Sequence, residues 1–188
     1  LEGVASRTDY DLKKHAEHSG AKLSYFDQQK EDPQTGKSGW RYTPYVIEPA
    51  AGATRGLLVY LLDAYHEEIV KDAKGNDSTR VVMKLHPRLA PIKAAILPLV
   101  KKEGLPKIAR EIVSEFFNAG INVKYDENHA IGKRYRRHDE AGTPYCITVD
   151  GQTKNDGTVT IPNRDTMEQE RIPAKEALRI VQERLINS

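Results

Sequence analysis

The stretch "IKAAILPLVKKEGLPKIAREIVSEFFNAGINVKY" (residues 92–125) decides the fold of this chain. Ile92–Leu97 is a short apolar run, the pattern of a buried strand. Leu105, Ile108, Ile112, Val113, Phe116 and Phe117 then recur at helical spacing, and Asn118-Ala119-Gly120 ends that helix. Ile121–Tyr125 alternates as a half-buried strand does. Strand, helix and strand in this order imply parallel strands joined by a right-handed crossover.

The alternation continues downstream. Asn128–Glu140 reads as a second helix, stopped by Gly142 and Pro144, and Pro144–Val149 as a third strand. "DGQTKND" (residues 150–156) is a turn-rich link to a strand at Gly157–Ile161, and Met167–Ile172 adds an edge strand. Pro173 opens a last helix, with Ala174, Leu178, Val181 and Leu185 as its apolar stripe. The expected fold class is α/β: a mixed, mainly parallel five-stranded sheet flanked by helices.

Upstream the pattern is less regular. Gly3–Arg7, Leu23–Phe26 and Trp40–Ile47 read as strands, and Asp9–Ser19 as a short helix capped by Gly20. "DQQKEDPQTGKSG" (residues 27–39) is a polar loop. Arg55–Val70 is apolar on nearly every side, as a helix buried in a larger structure would be. The polar run "KDAKGNDSTRV" (residues 71–81) reads as a loop or linker. Residues 1–75 thus look like the end of one domain, 76–81 a linker and 82–188 a second domain; the start at Leu1 suggests a piece of a longer protein.

Composition excludes several classes. The 188 residues are 38% hydrophobic and 30% charged, with no apolar run of the roughly 20 residues a membrane helix needs. There is no signal-peptide pattern. The single cysteine, Cys146, excludes an internal disulfide framework and fits a reducing cytoplasm. With the six histidines scattered, no Cys/His metal cluster is expected. From Val82 onward 18 Lys+Arg face 14 Asp+Glu, a net +4, whereas the preceding part holds 11 against 13, a net −2. That asymmetry suits a polyanionic partner; ordinary solvated charge accounts for it as well.

Two stretches carry candidate chemistry. In "IGKRYRRHDEAGTPY" (residues 131–145), Lys133 and Arg137 share one helical face, as do Arg134 and His138. Like charges packed this way repel, and the phosphates or bases of a nucleic acid are a natural counterpart; a solvated face balanced by Asp139 and Glu140 is the alternative. The turn at 150–156 and Asn163-Arg164-Asp165 add polar groups near strand ends. In "YVIEPAAGATRGLLVYLLDAY" (residues 45–65), Glu48 follows a strand and can hold an ammonium group. Arg55 opens a helix and can hold a phosphate. Ala50-Ala51-Gly52 permits close approach, and a buried Glu48–Arg55 ion pair is the alternative. The pairs Asp9/Asp11 and Glu67/Glu68 read as capping and surface residues. No nucleophile elbow, P-loop, zincin or dinucleotide motif is present.

Three blocks together resemble the C-terminal portion of the homodimeric type of glycyl-tRNA synthetase. They are "EGVASRTDYDLKKHAEHSG", "PYVIEPAAGATRGLLVYLLDAY", and the run from "KLHPRLAPIKAAILPLVKK" through "IGKRYRRHDEAGTPYCITVD" to "TVTIPNRDTMEQERI". The resemblance implies that residues 1–75 end a class II catalytic domain, an antiparallel sheet with helices, and that 82–188 form its anticodon-binding domain. It implies that Arg7 orients the glycine carboxylate and Glu48 holds its ammonium, with Pro49, Ala50, Ala51 and Gly52 lining that site. Arg55 would be the catalytic arginine on the ATP phosphates, beside Gly52, Ala53 and Thr54. Lys133, Arg134, Arg136, Arg137 and Arg164 would contact tRNA(Gly). ATP with Mg²⁺ would be substrate and counter-ion, with no cofactor or metal held tightly by this chain. The expected setting is a cytoplasmic homodimer, with no membrane partner. Ala50 departs from the usual "IEPSAG". The alternative implied by the same fold is a non-catalytic RNA-binding paralogue or accessory protein.

Overall fold

In the computed structural model, which describes residues 1–71 and 75–188, β1 (Glu2–Thr8) lies antiparallel to β4 (Val46–Ala51), with Ala5 opposite Glu48. Between them come α1 (Tyr10–Ser19) and a hairpin of β2 (Tyr25–Glu31) and β3 (Ser38–Tyr42). Gly20 closes α1 at φ 70, the left-handed cap its sequence signals. The polar loop is shorter than the sequence suggests, because both hairpin strands extend into it. The expected strand Trp40–Ile47 is two strands with different partners; the Thr43-Pro44 break separates them, Pro44 having no N–H to give a ladder.

The chain forms two compact units, Leu1–Leu58 and Val59–Ser188, and α2 (Ala53–Ala64) runs through the division. Two expectations change here. The run Arg55–Val70 is not one buried helix. It stops at Ala64, and Tyr65–Lys71 is a strand, β5, in an antiparallel hairpin with β6 (Asp77–Met83). Tyr65, Ile69 and Val70 favour a pleated strand, and pairing with β6 overrides the helical pattern. Residues 76–81, read as a linker, therefore lie almost wholly in β6; 72–74 of the same run lie outside the described residues. Leu57, Leu58, Leu61 and Leu62 of α2 are exposed among the described residues.

The second unit is built on the sheet the sequence announces. Its strands are β7 (Ala94–Pro98), β8 (Val123–Tyr125), β9 (Tyr145–Val149), β10 (Thr158–Pro162) and β11 (Gln169–Pro173), in spatial order β11-β10-β9-β7-β8. The β7 pairs with β8 and β9 are parallel, and β10 is antiparallel to both β9 and β11. Every residue of β7 is buried. On one face Ile96, Ile147, Val149, Val159 and Ile161 pack with Leu105, Ile112 and Phe116 of α3 (Leu105–Asn118) and with Ala177 and Val181 of α6 (Ala177–Ile186). On the other face Ala95, Leu97 and Cys146 meet Ile131 and Tyr135 of α4 (Ile131–Glu140).

The link at 150–156 is more ordered than a turn. It forms the short helix α5 (Gly151–Asp156), because Asp150 caps it in a reciprocal box with Thr153. Gly142, after α4, has φ 71, and a Cβ there would stand 3.2 Å from Met83 Cβ, so a side chain at this position is strained. Among the described residues no helix is long and apolar enough to cross a membrane.

Phe116 and its neighbour Phe117 test the core directly. Phe116 has no exposed surface, and Phe117 is 74% exposed. Denaturant titration followed by circular dichroism is expected to show a loss of about 3–5 kcal/mol for Phe116→Ala. The same titration is expected to show a change of no more than about 0.5 kcal/mol for Phe117→Ala.

Candidate functional site

In the first unit β1 carries Arg7 and β4 carries Glu48, and the antiparallel register brings their side chains together. Arg7 Nε lies 3.2 Å from Glu48 Oε2. A third residue joins them. Arg7 donates from Nε to Asp11 Oδ2 at 2.8 Å and from Nη2 to Asp11 Oδ1 at 2.9 Å, a bidentate fork. The hydrogen bond to Asp11 raises the Arg7 pKa, and the same bond holds the Asp11 carboxyl below the usual carboxylate range. Asp11 is thus neither a cap nor an idle surface residue. Asp9, its neighbour, makes no side-chain cap and pairs with Lys13 at 2.6 Å. The spacing Arg7 to Asp11 is visible in the sequence, but it crosses a strand–helix junction where helical periodicity says nothing.

The alternative pair, Glu48 with Arg55, does not form; among the described residues Arg55 makes no ion pair. Pro49, Ala50 and Ala51 end β4, while Ala53, Thr54 and Arg55 open α2. Gly52 stands at the junction, its carbonyl accepting from the Gly56 N–H at 2.8 Å. Arg55 therefore sits in the first turn of a helix, where free N–H groups and the helix dipole favour a phosphate.

In the second unit the basic helix α4 splits by face. Lys133 is exposed, and among the described residues it makes no ion pair. Arg136 and Arg137 are partly exposed, the first bound to Asp139 at 3.2 Å and the second hydrogen-bonded to Asp126. Arg134 is different, only 2% exposed. It donates from Nη1 to the carbonyls of Pro98 at 2.6 Å and Asp126 at 3.2 Å, and from Nη2 to that of Leu99 at 3.1 Å. It satisfies main-chain groups at the ends of β7 and β8, so its place among the tRNA contacts is corrected: nothing of it reaches solvent in a form RNA could use. Arg164 is corrected likewise. Its side chain is 7% exposed, pairs with Asp165 at 2.9 Å, and donates to Leu85 O at 2.9 Å and Gly142 O at 3.3 Å. Helical spacing sets the split on α4: Ile131, Arg134, Tyr135 and His138 turn inward, Lys133 and Arg137 outward.

Sequence reading misses Arg80 and Arg171. Arg80, 2% exposed, forks onto Asp139 through Nε and Nη2, both at 2.9 Å, bonds Glu68 at 3.0 Å and reaches the Arg164 carbonyl at 2.6 Å. Glu68, read as surface, is thus part of a buried network. Arg171 on β11 forks onto Asp150 at 2.8 and 3.0 Å, and its hydrogen bonds lower the Asp150 pKa to about 2. No residue spacing in the sequence signals either pairing, since each joins segments distant along the chain.

Thr148, Thr160 and Arg171 stand side by side on the face that α4 only partly covers, with Gln169 further along. Beside them a cavity of about 160 Å³ is lined by Arg80, Tyr135, Arg136, Cys146, Asn163 and Gln169, among others. Burial pushes the Cys146 thiol up to about 12, so it lines the cavity as a neutral group. The second unit thus presents a small, mainly apolar recess edged by polar side chains, next to the partly exposed Arg136.

Residues 93–184 match the family described as "Anticodon binding domain". Over nearly its whole length the chain is similar to glycine–tRNA ligases. It is 51% identical to the glycine–tRNA ligase of Corynebacterium efficiens over 186 residues, 99% of this chain and 38% of that protein. It is 54% identical to that of Nocardia farcinica over 172 residues, 92% of this chain and 35% of that protein. For Clostridium perfringens the figures are 51% over 185 residues, 98% and 37%. The chain therefore spans little over a third of the length of these relatives. Among solved structures it is similar to a prolyl-tRNA synthetase from Cryptosporidium parvum, with a TM-score of 0.49 and 23% identity over 63% of this chain and 31% of that one.

Two stability measurements separate the buried basic residues from the exposed ones. Arg134→Ala strands three carbonyl bonds and is expected to cost about 1–3 kcal/mol in denaturant titration. Lys133→Ala is expected to stay within about 0.5 kcal/mol of wild type. Burial of His138 lowers its pKa from 6.5, with Asp126 and Asp139 opposing and Lys124 and Arg137 adding to the shift. The unfolded chain then takes up a proton that the folded one refuses. Stability is expected to be undiminished above pH 6.5 and to fall as pH drops through the window below it, a slope that His138→Gln reduces.

Proposed function

We propose that this chain is the C-terminal part of a glycine–tRNA ligase, carrying anticodon binding and part of the glycine and ATP site. The observation that carries the reading is the pairing of Arg7 and Glu48 across β1 and β4, with Arg55 at the start of the helix that follows β4. Identity of about half over nearly the whole chain supports it. In this reading Glu48 takes the glycine ammonium and Arg7 the carboxylate. A carboxylate oxygen attacks the α-phosphorus of ATP and pyrophosphate leaves; the terminal ribose hydroxyl of tRNA(Gly) then attacks the glycyl carbonyl and AMP leaves. Arg55, with the backbone of Gly52, Ala53 and Thr54, stabilises charge on the phosphates, so no side-chain nucleophile is needed. Mg²⁺ arrives with ATP as its counter-ion. Among the described residues no group of three or more His, Cys, Asp or Glu is placed to hold a metal.

Residues 1–75 would then be the end of the class II catalytic domain. No residue of Leu1–Leu58 is buried, and Val4, Ile47, Leu57 and Leu58 are exposed, as expected where further elements of a domain complete a core. The homodimer and the cytoplasmic setting belong to the same proposal. Residues from about 82 would bind the anticodon through Lys133, Arg136 and Arg137, with Arg171, Gln169 and the recess beside Tyr135 as the base-reading face.

Ala50 favours a second reading, a non-catalytic RNA-binding paralogue. The missing hydroxyl removes one hydrogen bond near the amino acid, worth about 1 kcal/mol. Glycine-dependent ATP–pyrophosphate exchange by the full-length protein distinguishes the two: exchange supports the ligase, and its absence with tRNA binding retained supports the paralogue. The 188-residue chain by itself is expected to form no glycyl-adenylate yet to bind tRNA(Gly). Replacing Lys133, Arg136 and Arg137 together by alanine is expected to weaken that binding at least about tenfold and to flatten its salt dependence by about two to three ions. Unchanged tRNA affinity in this variant would remove α4 from the interface.

A further inference from the structure

We propose that Asp11 is the positioning residue of the amino-acid site: it fixes Arg7 so that the free Nη1 end of the guanidinium receives a substrate carboxylate while Glu48 keeps an oxygen for the ammonium. This rests on the glycine–tRNA ligase reading and deepens it.

Two independent features place Asp11 there. The first is the fork itself. Asp11 occupies the Nε and Nη2 edge of Arg7, and among the described residues Nη1 makes no hydrogen bond. A guanidinium offers its donors in fixed pairs, so filling one edge with a carboxylate dictates where a second can bind. The second feature is the backbone between them. The β1–β4 register slips between Ser6 and Thr8, which leaves Arg7 as the bulged residue without a cross-strand partner. Thr8 follows at φ 52, a left-handed conformation rare for a β-branched residue, and its hydroxyl donates to the Arg7 carbonyl at 2.7 Å. This strained turn, with Asp9 alone between β1 and α1, brings the first turn of α1 against the end of β1. Strain of this kind persists where the surroundings fix it, and it collects at binding sites.

Arg7 needs such a clamp because of Glu48. An arginine on a solvent-accessible strand has several rotatable bonds, and its nearest anion is the carboxylate meant for substrate. Left alone, Arg7 would fork onto Glu48, and the two charges the zwitterion needs would cancel. With Asp11 holding the fork, Glu48 Oε2 lies 3.2 Å from Arg7 Nε, and among the described residues Oε1 makes no hydrogen bond. The site then offers a cationic end and an anionic end side by side, which matches an α-amino acid and not an amine or an acid alone.

The experiment uses the full-length protein in ATP–pyrophosphate exchange. Glycine-dependent exchange by wild type must come first; without it the ligase reading fails, and this inference with it. Given that exchange, Asp11→Asn, which keeps the shape but loses the charge, is expected to raise the glycine KM about tenfold or more. The ATP KM is expected to stay within about twofold and the melting temperature within about 2 °C. Asp11→Glu keeps the charge at a longer reach and is expected to restore part of the glycine KM. A glycine KM for Asp11→Asn within about twofold of wild type overturns the inference and leaves the ligase reading intact. A parallel rise in both KM values overturns it too, since it marks a structural role. If Asp11→Asn does not fold, Asp11→Ser decides in its place: a selective rise in glycine KM supports the inference, and no rise overturns it.

Discussion

Strand β7 is buried on both faces, and the second unit is arranged around that constraint. A strand with no solvated face needs a helical layer above and below it. On one side α3 and α6 supply large apolar side chains. On the other the sheet offers mainly Ala95, Leu97 and Cys146, and α4 must cover them. A helix so rich in cations can do this only by turning one stripe inward, and Arg134 lies in that stripe. Its burial is tolerated because the main-chain carbonyls past β7 and β8 need donors, and the guanidinium serves three of them. The need to finish the strand edge and the need to bury a basic helix are met by one side chain.

Arg80 performs the corresponding service for the hairpin β5–β6. Its fork onto Asp139, its bond to Glu68 and its reach to the Arg164 carbonyl tie the hairpin to α4 and to the β10–β11 turn. Buried ion pairs are costly unless their hydrogen bonds are complete, and Arg80 uses all three of its nitrogens. The cavity beside Tyr135 and Arg136 is bounded by Arg80 and Asp139 of this network together with residues of the α4–β9 and β10–β11 connections, among them Thr143, Asn163 and Met167.

The first unit has the opposite character. It buries no side chain, and its order rests on strand pairing, a bulge and a short charged cluster. Arg7, Asp11 and Glu48 are each partly exposed, so their value lies in direction more than in stability. That suits a site whose task is to receive a small zwitterion.

Much of this was legible in the sequence. Apart from α5, which its capping box and not apolar spacing makes, the strands and helices from Ala94 to Ile186 follow from the sequence pattern, since burying β7, α3 and α6 demands those spacings. Glu48 and Arg55 could be singled out because each is a charge beside small residues at the end of a strand or the start of a helix, whereas Arg7 came only from the resemblance of its block to a known family. The tertiary structure alone decided the rest. Periodicity cannot distinguish a helix from a strand in a uniformly apolar run, so the end of α2 at Ala64 and the β5–β6 hairpin waited on pairing with β6. A count of cations cannot tell which of them point inward, so Arg134 and Arg164 left the proposed RNA surface only when their carbonyl partners were in place. The clamp of Asp11 on Arg7 also lay beyond the sequence, because it depends on a bulge and a left-handed Thr8, and backbone geometry of that kind is fixed by the sheet and not by residue type.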